Sequence, residues 1–282
     1  FIAPEVSIDE ISCKSDTYSL GKMIYYIICE KEPVDADLTR LDPKAKEIYE
    51  KCTDENPENR PSDYELFFDF YSSYHSQIDD NLIKNNLQIN YILARIYDKG
   101  ILVSKDANKA IHYYSLAAER NYAKAQYNLG LMYELDINVP IDINRAIHYY
   151  SLAAKQKHAK ALFSLGVIYF NGEYVSQNIH KAIYYYTLAA DYNDSDAQYI
   201  LGVLYSQGEY VYRDIKKAIH YLTLSADQNN PDAQYNLGYI YYMGEHVPQN
   251  INKAIYYFTL AADQNFVRAQ YNLAYTYYIG EL

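Results

Sequence analysis

The stretch AQYNLGYIYYMGEHVPQNINKAIYYFTLAA, running from Ala233 to Ala262, decides the fold. Its segment Ala-Ile-Tyr-Tyr at Ala254 is one of five copies of Ala-Ile-(His/Tyr)-Tyr, starting at Ala110, Ala146, Ala182, Ala218 and Ala254 with a spacing of 36 residues every time. Self-similarity at a fixed period of this length means that each unit buries its apolar face only against its neighbours. The product is an elongated all-α solenoid with an extended binding surface.

Working outward from that stretch, each unit reads as two helices. A glycine follows the first helix at Gly172, Gly208, Gly244 and Gly280, where a left-handed C-terminal cap is wanted, and Asp136 takes its place in one unit. An Asp/Asn column at Asp106, Asp142, Asn178, Asp214 and Asn250 then precedes the next apolar stripe. These are expected N-caps of the second helix, whose orphan amide hydrogens their side chains can accept. Gly130, Gly166, Gly202 and Gly238 sit in the middle of the first helices, where glycine costs about 1 kcal/mol relative to alanine. That cost recurs, so close approach by the Ala-lined second helix is expected there. Tyr133, Tyr169, Tyr205, Tyr241 and Tyr277 are expected to fill the space the glycine opens. Asn193, in a connecting loop, is expected to tolerate substitution.

Charge limits the partners. The formal net charge is -11, with 19 acidic and 9 basic residues in 1–85 and 17 and 16 in 86–282. No basic patch exists to neutralise phosphates, so no nucleic acid and no anionic membrane surface is expected as a partner. The longest wholly apolar run, around Met23 to Cys29, is too short to span a bilayer. Cys13, Cys29 and Cys52 lack Cys-x-x-Cys spacing and suit free thiols in a reducing compartment, so a cytoplasmic or nuclear location is expected. His112, His148 and His220 share one repeat column, but successive repeats stack roughly 8 to 10 Å apart, too far for one zinc. No metal site is expected.

The pattern Ala-Gln-Tyr-Asn-Leu-Gly-x-x-Tyr-x-x-Gly-Glu-x-Val-x-Gln-(Asp/Asn)-Ile-x-Lys-Ala, at Ala233 to Ala254, resembles the Sel-like repeat, a relative of the tetratricopeptide repeat. The resemblance covers residues 89–282, with six first helices and five second helices. It implies an α/α right-handed superhelix used as an adaptor or scaffold in signalling, without intrinsic catalysis. By analogy with tetratricopeptide solenoids, one stripe of the first helices lines the concave face: Tyr127-Leu131-Glu134, Phe163-Val167-Phe170, Tyr199-Val203-Ser206, Tyr235-Tyr239-Tyr242 and Tyr271-Tyr275-Tyr278. The last two units then offer Tyr235, Tyr239, Tyr242, Tyr271, Tyr275 and Tyr278 to a protein or peptide partner. Two outcomes are open to this stripe: contact with a partner, or packing between adjacent first helices.

Residues 1–74 carry a second resemblance. Phe1-Ile2-Ala3-Pro4-Glu5, then Lys14-Ser15-Asp16-Thr17-Tyr18-Ser19-Leu20-Gly21, then Cys52-Thr53-Asp54-Glu55-Asn56-Pro57-Glu58-Asn59-Arg60-Pro61-Ser62 are similar to the C-terminal part of a protein kinase domain of the tyrosine-kinase-like group. The resemblance implies structural roles: Glu5 of the Ala3-Pro4-Glu5 element pairs with Arg60 in a buried ion pair, and Asp16, in the motif that ends at Gly21, hydrogen-bonds the backbone of the catalytic loop from the start of a central helix. No Gly-rich loop, ATP-pairing Lys, His-Arg-Asp or Asp-Phe-Gly element occurs, so no catalytic residue and no cofactor is expected in this chain. ATP and magnesium enter only if an upstream kinase half exists. The expected organisation is a partial helical kinase lobe over 1–74, a connector over 75–88 and the repeat array over 89–282. The expected function is a non-catalytic protein-interaction scaffold. The alternative is a protein kinase whose catalytic elements lie upstream.

Overall fold

The computed structural model describes residues 43–53, 87–100, 104–135 and 139–280. These residues form helices α1 (Pro43–Cys52), α2 (Leu87–Lys99), α3 (Ala107–Ala118), α4 (Ala123–Glu134), α5 (Ile143–Lys155), α6 (Ala159–Asn171), α7 (Ile179–Asp191), α8 (Ser195–Gln207), α9 (Ile215–Asp227), α10 (Pro231–Met243), α11 (Ile251–Asp263) and α12 (Val267–Tyr278). No strand occurs among the described residues. From α2 onward, first and second helices alternate, with α2, α4, α6, α8, α10 and α12 as first helices. The chain divides into two compact units inside α4: residues through Ala125 with 136–140, and 126–135 with 141–282.

Helices of 12 or 13 residues are marginal on their own, so their ends and their packing must hold them. Each second helix starts as expected. The side chains of Asp106, Asp142, Asn178, Asp214 and Asn250 accept from the backbone N–H three residues on, at 2.9 to 3.0 Å. The same five residues donate their own N–H to the carbonyls of Tyr97, Tyr133, Tyr169, Tyr205 and Tyr241, which pins each loop across the end of the preceding helix. Gly172, Gly208 and Gly244 close α6, α8 and α10 in the left-handed region. Asp136 lies outside the described residues.

The return from second to first helix uses another device. Asn121, Lys157, Asn193, Asn229 and Asn265 all have φ between 62° and 65°. Asparagine tolerates this region better than most residues, which explains four asparagines in five positions. The next residue caps the first helix: His158, Asp194 and Asn230 accept from the N–H groups of Ala161, Ala197 and Ala233.

The mid-helix glycines do open space, chiefly for a side chain, with the backbone N of Leu222 also 3.2 Å from a Cβ placed on Gly202. A Cβ on Gly166 would lie 2.5 Å from Cε1 of Tyr186, one on Gly202 2.6 Å from Cγ of Leu222, and one on Gly238 2.6 Å from Cδ1 of Phe258. Gly130 meets the ring of Tyr150 in the same way. Tyr150, Leu222 and Phe258 are fully buried and Tyr186 is nearly so, giving each layer of the second unit one large residue on its second helix. Around them lie alanines with no exposed surface, such as Ala182, Ala189 and Ala197. Of the expected fillers, Tyr133 is buried, Tyr169, Tyr205 and Tyr241 are half-buried, and Tyr277 is exposed.

Candidate partner-binding site

The aromatic residues fall into three sets with different jobs. In the first set, each first helix contributes a tyrosine that stacks on a second-helix tyrosine: Tyr97 on Tyr113, Tyr133 on Tyr149, Tyr169 on Tyr185, Tyr205 on Tyr221 and Tyr241 on Tyr257, at 5.9 to 6.1 Å and within 11° of parallel. A cation covers each outer ring. Lys109, Arg145, Lys181, Lys217 and Lys253 lie 3.8 to 5.2 Å from the centroids. These are the residues whose N–H the N-cap holds, so the cap sets the cation over the ring. On the far side, His112, His148, Tyr184, His220 and Tyr256 meet the inner tyrosine edge-on or tilted. The histidine column is an exposed helix face bearing rings. Among the described residues, no group of three His, Cys, Asp or Glu side chains is placed to hold a metal ion.

The second set is the inner part of the stripe, and it packs. Tyr127 lies against Tyr150 and stacks on His158 at 4.8 Å. Phe163 and Phe170 lie against Tyr186. Tyr235 lies against Phe258 and Phe266, and Tyr242 against Phe258. The Tyr235 hydroxyl also accepts from Asn272 of the next first helix at 3.3 Å. Glu134, at the end of its stripe, accepts from the Tyr150 hydroxyl at 2.5 Å. Burial, and after it that hydrogen bond, push the Tyr150 hydroxyl well above the ordinary phenol range. Of the six candidate tyrosines, Tyr235 and Tyr242 therefore belong largely to the packing between helices.

The third set is open. Tyr239 on α10 is 45% exposed, and Tyr271, Tyr275 and Tyr278 on α12 are exposed too. Tyr271 and Tyr275 stack on each other at 6.3 Å, which lays two rings flat along one helix face. Beside Tyr239, between α8 and α10, lies a hollow of about 330 Å³ walled by Ser206, Gln207, Arg213, Ile215, Asn236, Tyr239, Ile240, Met243, Glu245 and His246. Ser206 and Tyr239 are both stripe positions. Sequence spacing placed these residues on one face but could not tell which were covered, because coverage depends on a partner 16 to 37 residues away.

One set of residues escaped the sequence reading. Gln126, Gln198 and Gln234 are buried on the first helices, and each accepts from a glutamine at the end of the following second helix, Gln156, Gln228 and Gln264, at 2.7 to 2.8 Å. Gln198 and Gln234 donate in turn to the carbonyls of Ala190 and Ala226, joining adjacent repeats. The signal was available in the repeated Ala-Gln-Tyr. Polar residues recurring on an otherwise buried face must find partners. Ala3, Pro4, Glu5, Asp16, Gly21 and Arg60 lie outside the described residues.

The Sel1 repeat family model matches residues 90–122, 123–158, 159–194, 195–230, 231–266 and 267–282. The chain belongs to the Sel1 repeat family. Among solved structures, it is similar to a Sel1 repeat protein from Oxalobacter formigenes, with 31% identity and a TM-score of 0.65 over 73% of this chain and 81% of that one. It is also similar to a protective antigen of uropathogenic Escherichia coli that displays an SLR fold, with 26% identity and a TM-score of 0.70 over 95% of this chain. The match spans 57% of the antigen's length. Comparison with curated proteins finds no match. Membership supports a protein-interaction role for the array. Among the described residues, no helix is long and apolar enough to cross a membrane.

Proposed function

We propose that this Sel1 repeat protein is a non-catalytic scaffold that binds a protein or peptide partner along the first-helix stripe, on the concave face of its solenoid, in the cytoplasm or nucleus. One observation carries the reading: Tyr235 and Tyr242 pack against Phe258 of the following second helix, yet Tyr239 on the same helix stays open and walls a hollow between α8 and α10. Tyrosine supplies rigid, amphipathic contact area of the kind that hot spots favour. Panning a random displayed-peptide library on the full chain tests this. The selected peptides are expected to lose about 10-fold in affinity on Tyr239→Ala, or roughly 1 to 2 kcal/mol. They should bind Tyr256→Ala, also exposed but on a second helix, as they bind the unchanged protein. The reverse pattern would move the binding face to the second helices.

For residues 1–74, we read the Ala3-Pro4-Glu5, Asp16 to Gly21 and Arg60 motifs as a kinase-like piece in which Glu5 and Arg60 pair structurally. This chain alone then neither binds ATP nor transfers phosphate, because the phosphate-holding and magnesium-holding elements are missing from its sequence. Calorimetry that found magnesium-dependent ATP binding tighter than about 100 μM would refute this.

A further inference from the structure

The hollow between α8 and α10 has two kinds of wall. Ile215, Ile240, Met243 and the ring of Tyr239 make one side apolar, while Arg213 supplies a cation at its edge. A volume of about 330 Å³ is at the lower end of what small-ligand pockets offer, enough for one anchoring side chain and its neighbours.

Arg213 breaks the repeat pattern. The equivalent residues in the adjacent units, Gln177 and Gln249, donate to the carbonyls of Phe170 and Tyr242 at 2.8 and 2.9 Å and so pin their loops to the preceding helix. Arg213 makes no such bond, and its guanidinium pairs with no carboxylate among the described residues. The same loop carries Tyr212, which is 99% exposed. On the other side of Arg213 lies a wider hollow of about 670 Å³ against Tyr205 and Tyr210, but no stripe residue takes part in it. In the smaller hollow, Glu245 lies on the wall beside His246, 3.8 Å away, and Arg213 makes no ion pair with it. A guanidinium is always charged and presents paired donors matched to a carboxylate.

We propose that this hollow is the anchor site for the partner and takes an aliphatic side chain followed directly by an acidic residue. The aliphatic group sits against Ile215, Ile240 and Met243, and the carboxylate sits on Arg213. An Asp or Glu at that point answers a charge that Gln177 and Gln249 do not carry in the adjacent units, so the acidic residue sets the register of the bound segment along the stripe. This rests on the reading of the stripe as the partner surface.

The test uses the full chain labelled at Ile δ1 and Met ε methyls and titrated with two blocked dipeptides, N-acetyl-leucyl-aspartyl amide and N-acetyl-leucyl-asparaginyl amide. Met243 is one of only three methionines, so its signal is readily assigned. Shifts are expected at Ile215, Ile240 and Met243 and not at Met132, with the aspartyl probe binding about fivefold tighter, as a charge-assisted pair gives. Arg213→Gln should abolish that preference and leave the asparaginyl probe unaffected. No shift at about 20 mM probe, well above the dissociation constant expected of so small a ligand, would overturn the proposal, as would shifts elsewhere or equal binding of the two probes. If panned peptides lose affinity on Tyr239→Ala but not on Arg213→Gln, the stripe stands and the anchor falls.

Discussion

Asn193 holds more of the repeat than its place in a short turn suggests. Its φ is 64°, and its side-chain oxygen accepts from Gln198 at 3.4 Å and Gln228 at 3.2 Å. The expectation that it tolerates substitution therefore gives way. Asn193→Leu should cost about 1 to 2 kcal/mol in urea melts, the penalty for a side chain held in the left-handed region, whereas Asn193→Gly, which keeps the backbone conformation and loses only the side chain's bonds, should cost less. Its neighbour Asp194 gives a prediction of the opposite sign. Burial pushes the Asp194 carboxyl above the usual carboxylate range even though it caps α8. The folded chain thus holds this proton more tightly than the unfolded chain, and the charge costs stability once pH rises above that raised value. Asn230 caps the next first helix at 3.1 Å with no charge at all. Asp194→Asn is expected to raise the melting temperature at pH 7, with a gain that shrinks as pH falls through the carboxylate range. A gain that stayed constant with pH would show that ionisation is not the cause. The five second-helix caps were legible from the sequence because an Asp or Asn before an apolar stripe is a local signal. The left-handed asparagines were not, because a lone Asn in a polar turn has several conformations open to it.

At the scale of the element, the 36-residue period and the glycine after each first helix foretold the helix pairs, since both are signals written along one chain segment. What periodicity could not supply was the pairing across helices. The residue that fills each glycine notch lies 20 positions ahead, on the opposite helix, and two tyrosine columns competed for that role. The column through Tyr150 and Tyr186 won because its second-helix position points directly at the glycine. The column through Tyr169 and Tyr205 went to the stacked, cation-covered pairs nearer the solvent. The two columns should therefore respond differently to truncation. Tyr186→Ala should cost about 3 to 5 kcal/mol, the range for a large aromatic removed from a core. Tyr205→Ala should cost about 1 to 2 kcal/mol, for a lost stack and cation–π contact. Equal losses in denaturant melts would return the Tyr205 column to the core.

At the scale of the whole molecule, the Sel1 repeats support one another through buried glutamines, alanine seams and capped turns that lie within the array itself. Residues 89–282 are accordingly expected to keep their helical signal and cooperative melt when 1–74 is removed. Circular dichroism of that shortened chain would show otherwise if its melt broadened or vanished. The candidate face was only half legible at this scale: spacing put six tyrosines on one stripe, but they sorted into two that pack and four that stay open only once neighbouring helices were in place. Hydrogen–deuterium exchange of the full chain, with and without a panned peptide, tests the central claim most directly. New protection should fall on 199–214 and 235–246, the two sides of the hollow beside Tyr239. Protection on the second helices, Ile215–Asp227 and Ile251–Asp263, with α8 and α10 unchanged, would contradict it.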